Sequence, residues 1–160
     1  MDIEKNNTPA STITLSDGTE LRVYPDSDHT LYTLANGTDL LLENHLQTPE
    51  NTMAVGKKNI DHLEENAKAS VLAYYEERGR LYDIMEELEK ASAIYQQSQN
   101  KENFSMMRIE QNVYPTAAND RLIFFQTSLH LPLAEKTFTE RNLCEVFDRK
   151  TGAYIPIEDL

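Results

Sequence analysis

The chain has no tryptophan, a single cysteine (Cys144) and only five glycines among its 160 residues. One cysteine excludes an intrachain disulfide and a cysteine metal cluster. Five glycines leave little material for a phosphate-cradling loop once the turns have taken theirs. None of the Gly-x-Gly-x-x-Gly, Walker or Gly-x-Ser-x-Gly patterns occurs, so no cofactor is expected. No apolar run approaches the ~20 residues of a membrane span. The opening Met1-Asp2-Ile3-Glu4-Lys5 has neither the basic nor the apolar region of a signal peptide. These absences predict a cytoplasmic protein with no membrane partner. Basic residues do not cluster, so direct binding of nucleic acid is not expected either.

What the chain does have is acid. The net charge is −12, with −7 in residues 1–56, −3 in residues 57–98 and −2 in residues 99–160. Such a balance repels nucleic acid and anionic membranes and favours basic partners. Apolar residues make up 39% of the chain, low for a globular protein, and eight tyrosines outnumber five phenylalanines. Much of the aromatic area therefore carries a hydroxyl.

Residues 1–11 are polar and are expected to be disordered; 12–160 are expected to form one domain. An internal repeat opens that domain. Ile13-Thr14-Leu15-Ser16-Asp17-Gly18-Thr19-Glu20-Leu21 aligns with Tyr32-Thr33-Leu34-Ala35-Asn36-Gly37-Thr38-Asp39-Leu40. Asp-Gly and Asn-Gly between alternating apolar residues predict hairpins with type I′ turns. Residues 12–43 thus read as two successive hairpins linked through Pro25-Asp26-Ser27-Asp28. Residues 44–56 read as a linker.

Residues 57–98 read as one long helix. Ile60, Ala67, Val71, Tyr74, Leu81, Met85, Leu88 and Tyr95 fall at the alternating three- and four-residue steps of a coiled-coil seam. Leu63, Leu72, Tyr75, Tyr82 and Ile84 widen the stripe. A rod of this length spans roughly 60 Å, against about 40 Å for a compact domain of this size. The reading leaves apolar helix surface uncovered and predicts a homodimer through it; Gly79 either kinks the helix or reverses it into a helical hairpin, and one helix is the favoured reading. Residues 104–157 read as a C-terminal β region. Its strands are Phe104–Tyr114 and Leu122–Leu131, stopped by Pro132, followed by a short helical turn at Thr137–Glu140 and a last hairpin around residues 148–152. The expected fold is α+β: two N-terminal β-hairpins and a C-terminal antiparallel β set around one long central helix.

The chemistry-bearing groups read mostly as structure. Asp26-Ser27-Asp28-His29 places two carboxylates beside an imidazole, which suits a metal but also suits a turn. His62 and Glu65 share a helical face without the further ligands a bundle metal site needs. His45 has no motif around it. Cys144, inside Leu143-Cys144-Glu145-Val146-Phe147, reads as a buried structural thiol. The leading expectation is a non-catalytic protein-interaction module that presents an acidic surface to a basic partner. Its partner-binding residues are expected to be Tyr74, Tyr75, Leu81, Tyr82, Met85 and Leu88 on the helix, with Asp17, Glu20, Asp26, Asp28 and Asp39 on the hairpins. Two alternatives are an acidic inhibitor occupying the nucleic-acid site of another protein, and a small hydrolase with a metal at Asp26, Asp28 and His29 or a thiol at Cys144.

Overall fold

Turn residues set the first elements. In the computed structural model, which describes residues 9–26, 28–44 and 63–159, Asp17-Gly18 lies between β1 (Ser11–Thr14) and β2 (Glu20–Pro25). Asn36-Gly37 lies between β3 (His29–Leu34) and β4 (Asp39–Asn44). The two loops have the same hydrogen bonds. Gly18 and Gly37 donate to the carbonyls of Leu15 and Leu34 at 3.0 and 2.9 Å, and those leucines donate to the carbonyls of Thr19 and Thr38 at 2.8 Å. Only the glycine of each pair has a positive φ, +91°. The turns are therefore type I with a glycine bulge, not the expected type I′, which needs two positive φ values. The Asp17 and Asn36 side chains cap them by accepting from the N–H groups of Thr19 and Thr38.

β1 to β4 form an antiparallel meander in which Leu21 lies opposite Leu34 and Val23 opposite Tyr32. In β4 the run Leu40-Leu41-Leu42 is buried throughout, as a strand covered on both faces requires. β4 pairs in parallel with β5 (Met107–Ala118), Leu41 opposite Met107. β6 (Leu122–Ala134), β7 (Thr137–Asp148) and the short β8 (Tyr154–Ile155) follow. Strand order in the eight-stranded sheet is chain order.

This corrects the expected fold class. The described residues are mostly a mixed β-sheet, with two 14-residue helices among them, α1 (Glu65–Arg78) and α2 (Ile84–Gln97), where one long central helix was expected. The coiled-coil seam fails with it. The part of the expected rod at residues 57–62 lies outside the described residues. The break has a definite chemistry. Gly79 ends α1 at φ +65°, its N–H bonded to the Tyr75 carbonyl, a conformation that suits glycine. Asp83 then caps α2, accepting from Met85 and Glu86 N–H at 2.9 and 3.3 Å. Between these caps the buried Gln111 side chain accepts from Leu81 N–H at 2.9 Å and donates to the Gly79 carbonyl at 3.0 Å. Replacing Gln111 with Leu leaves both backbone groups without that partner. We expect a loss of about 1–3 kcal/mol, read as a lower urea midpoint with an unchanged slope.

The C-terminal region also departs from expectation. Pro115 and Pro132 lie inside β5 and β6, and Thr137–Glu140 opens β7 in place of a helical turn.

The chain divides into two compact units. Unit 1 holds β1 to β4, Tyr82–Glu110 with α2, and His130–Glu140; unit 2 holds α1, Gln111–Leu129 and Arg141 onward. The core of unit 1 gathers Leu21, Tyr32, Leu34 and Leu41 from the meander, Leu88 and Ala91 from α2, and Met107 and Ile109 from β5. The core of unit 2 gathers Val71 and Tyr75 from α1 with Val113, Ile123, Phe125 and Phe147. Of the expected seam, Ala67 and Val71 are therefore buried in unit 2 and Leu88 in unit 1.

Candidate functional site

Unit 1 contains an open cleft of about 400 Å³. Met106, Met107, Arg108 and Glu110 from the start of β5 line it, with His130 and Pro132 from β6 and Lys136, Thr137 and Phe138 from the β6–β7 turn. A mostly apolar cleft with a few convergent polar groups is the usual form of a binding site. Two features shape this one. Phe138 is 58% exposed, and its ring stacks on His130 at 4.9 Å between centroids with 20° between planes. His130 Nε2 in turn lies 3.1 Å from Glu140 Oε1 across the strands. The wall is thus a flat aromatic pair braced by a carboxylate. Leu133, 59% exposed, stands on the same hairpin.

A buried carboxylate anchors each unit. In unit 1, Glu43 accepts from the hydroxyls of Tyr32 at 2.8 Å and Tyr82 at 2.5 Å. In unit 2, Glu145 Oε1 accepts from Tyr75 at 2.8 Å and Thr127 at 2.7 Å, while its Oε2 lies 3.4 Å from Arg78. Arg78 also donates to Thr127 Oγ1 at 2.9 Å and sits over the Tyr75 ring. Burial, then the charge of Glu145, push the Tyr75 phenol far above its ordinary range, so it stays a neutral donor. Both carboxylates are buried among hydroxyl donors of their own unit.

The sequence-expected partner residues do not come together as one surface. Tyr75 and Leu88 are fully buried in their own cores. Tyr74, half-buried, stacks on Tyr154 in unit 2, where Leu81 is also half-buried. Tyr82 is committed to Glu43, and Met85 is exposed on α2. Among the acids, Asp17, Glu20 and Asp39 lie at the turn end of the meander. Asp26 and Asp28 lie at the other end of the six-residue strands, about 20 Å away.

Asp17 is also tied down. It accepts from the Gln96 amide at 3.0 Å and from Thr19. These bonds, Gln96 first, hold its carboxyl at about 2 against an ordinary 3.8. A carboxyl held lower in the folded state adds stability that is complete above the unfolded value and lost as pH falls through the folded one. Asp17→Asn is therefore expected to flatten the dependence of stability on pH between about 4 and about 2. Urea midpoints across that range measure it.

The candidate catalytic groups have other duties. Asp26 Oδ1 accepts from the N–H groups of Asp28 and His29 at 2.8 Å, which is turn chemistry. Among the described residues no cluster of three or more His, Cys, Asp or Glu could hold a metal. His45 and His62 lie outside the described residues. Cys144 is exposed, not buried as expected. Its thiol is nevertheless pushed up, by desolvation and then by Glu145, the opposite of the shift that makes a nucleophile. No helix among the described residues is long and apolar enough to cross a membrane.

The cleft escaped the sequence reading because one wall comes from the start of β5 and the other from β6 and the β6–β7 turn, 20 residues further on between Glu110 and His130. The available signal was Phe138 in a polar stretch, Thr137-Phe138-Thr139-Glu140, where one large apolar residue has no alternating partner. No family model, no curated protein and no solved structure matches the chain.

Proposed function

We propose that the protein is a non-catalytic protein-interaction module. Its acid excess draws a basic partner, and the unit 1 cleft receives an apolar side chain of that partner. The observation that supports this most is the contrast between the open apolar cleft, with Phe138 displayed on its wall, and the engagement of the candidate catalytic groups in structural bonds or unfavourable environments. A cytoplasmic location belongs to the same proposal. The decoy reading is less well supported, because a duplex mimic needs a dense array of charge and the acids divide between the two ends of the meander.

The test is affinity capture by the wild-type chain and by Met106→Gln, which alters the cleft away from β7. Captured protein is expected to fall about tenfold or more for the variant and to fall again on raising salt, because surface attraction is screened. Equal capture by the variant, with an unchanged urea midpoint, overturns the reading.

A further inference from the structure

The start of β7 is an open strand edge. Thr137, Phe138, Thr139 and Glu140 are all exposed. Among the described residues β8 meets β7 only at Val146 and Phe147, so the outer side of Thr137–Glu140 has no strand against it. Natural proteins blunt such edges with proline, bulges or inward charges because the free N–H and C=O groups template pairing. This edge has none of these within its four residues. Its two charges sit at opposite ends of the run Lys136-Thr137-Phe138-Thr139-Glu140.

That run is complementary to itself when reversed. We propose that it pairs antiparallel with the same edge of a second copy of this chain, about a twofold axis through Phe138. Thr137 then lies opposite Thr139 of the second copy and the two Phe138 rings meet at the axis, both favourable cross-strand pairs. Lys136, in the turn before β7 with a φ of +67°, is outside the ladder and brings its charge beside Glu140 of the second copy from the turn. A twofold contact must be self-complementary in this way. The side chains are available. Lys136 is exposed and has no hydrogen bond or ion pair among the described residues. Glu140 is 53% exposed and uses only Oε1, on His130. The homodimer expected from the sequence thus arises through a strand edge and not through the helices. A contact this small belongs to the weak, transient class. It also sets two clefts side by side, so a partner with two docking segments would bind with avidity.

Charge reversal tests the register. By sedimentation equilibrium the wild-type chain is expected to dimerise between micromolar and near-millimolar concentration. Lys136→Glu and Glu140→Lys each create two repulsive pairs and are expected to raise the dissociation constant about tenfold or more. The double variant K136E/E140K restores opposite charges and is expected to return to within about threefold of wild type. A second test needs no charge. In antiparallel pairs, facing Cα atoms lie about 4.5–5.5 Å apart, within disulfide range. With Cys144→Ser in the background, Phe138→Cys is expected to oxidise to a disulfide dimer faster than Tyr154→Cys, an exposed control in unit 2. A wild-type chain that stays monomeric, a double variant no better than the single ones, or equal oxidation of the two cysteines overturns the proposal.

Discussion

Gly152→Ala is expected to cost the fold about 3–5 kcal/mol, the sum of overpacking and left-handed strain. A methyl group built on Gly152 would sit 2.2 Å from the Ala67 carbonyl oxygen and 2.8 Å from Ser70 Cβ. The close neighbour is helix backbone, which cannot rotate away as a side-chain end can. The same glycine holds φ at +76°, where a side chain meets its own backbone. Its carbonyl also accepts from Ser70 Oγ at 3.0 Å, so the loop and α1 are tied where they approach most closely. Gly18→Ala is the control. Gly18 has a φ of +91° but nothing within 4 Å of the added methyl, so only the conformational part remains, about 1–2 kcal/mol. Urea midpoints for the two variants separate steric exclusion from backbone strain. Equal losses would show that the approach to Ala67 is unimportant.

The second large effect is expected at Arg78. Its side chain is 15% exposed and that of Glu145 only 4%, so solvent screens their attraction little. Arg78→Met removes the cation and leaves Glu145 charged, buried and held only by Tyr75 and Thr127. Breaking one side of such a pair costs about 3–5 kcal/mol. Replacing both, Arg78→Met with Glu145→Leu, fills the same space without charge and is expected to recover most of that loss, because a buried pair adds little beyond a well-packed apolar substitute. The Arg78 Nε atom, buried without a hydrogen bond, is a further reason the apolar replacement is tolerated. A double variant as unstable as the single one would show that the network is worth more than its desolvation cost. Thermal or urea unfolding of the three chains decides it.

The hairpin turns were legible because Asp-Gly and Asn-Gly act locally. The helix break was legible as well, but its signals lay inside an apolar pattern that concealed them. Gly79 followed by Asp83-Ile84-Met85-Glu86 is a glycine stop and then an N-cap with an acid three residues on. The three- and four-residue spacing runs across the break because Val71 and Tyr75 are buried in the core of unit 2 and Leu88 in that of unit 1. Periodicity reports that residues are covered, not what covers them. The long C-terminal strands were obscured by Pro115 and Pro132. Proline removes one ladder donor from a strand without ending its direction. The cleft was out of reach because β5, β6 and β7 come together only through tertiary pairing. Cys144 sat in an apolar run, yet its neighbours Glu145, Val146 and Phe147 took the interior.

The Gln111 clamp has a bearing on synthesis. The amide that bonds to the Gly79 carbonyl at the helix break is supplied 32 residues later in the chain. At cellular elongation speeds of roughly 5–20 residues per second, that part emerges about 2–6 s after the break does. Over that interval the nascent break has glycine and the Asp83 cap to mark it, but no brace. A ribosome-bound chain halted before Gln111 should therefore join its helices more often than one halted after it.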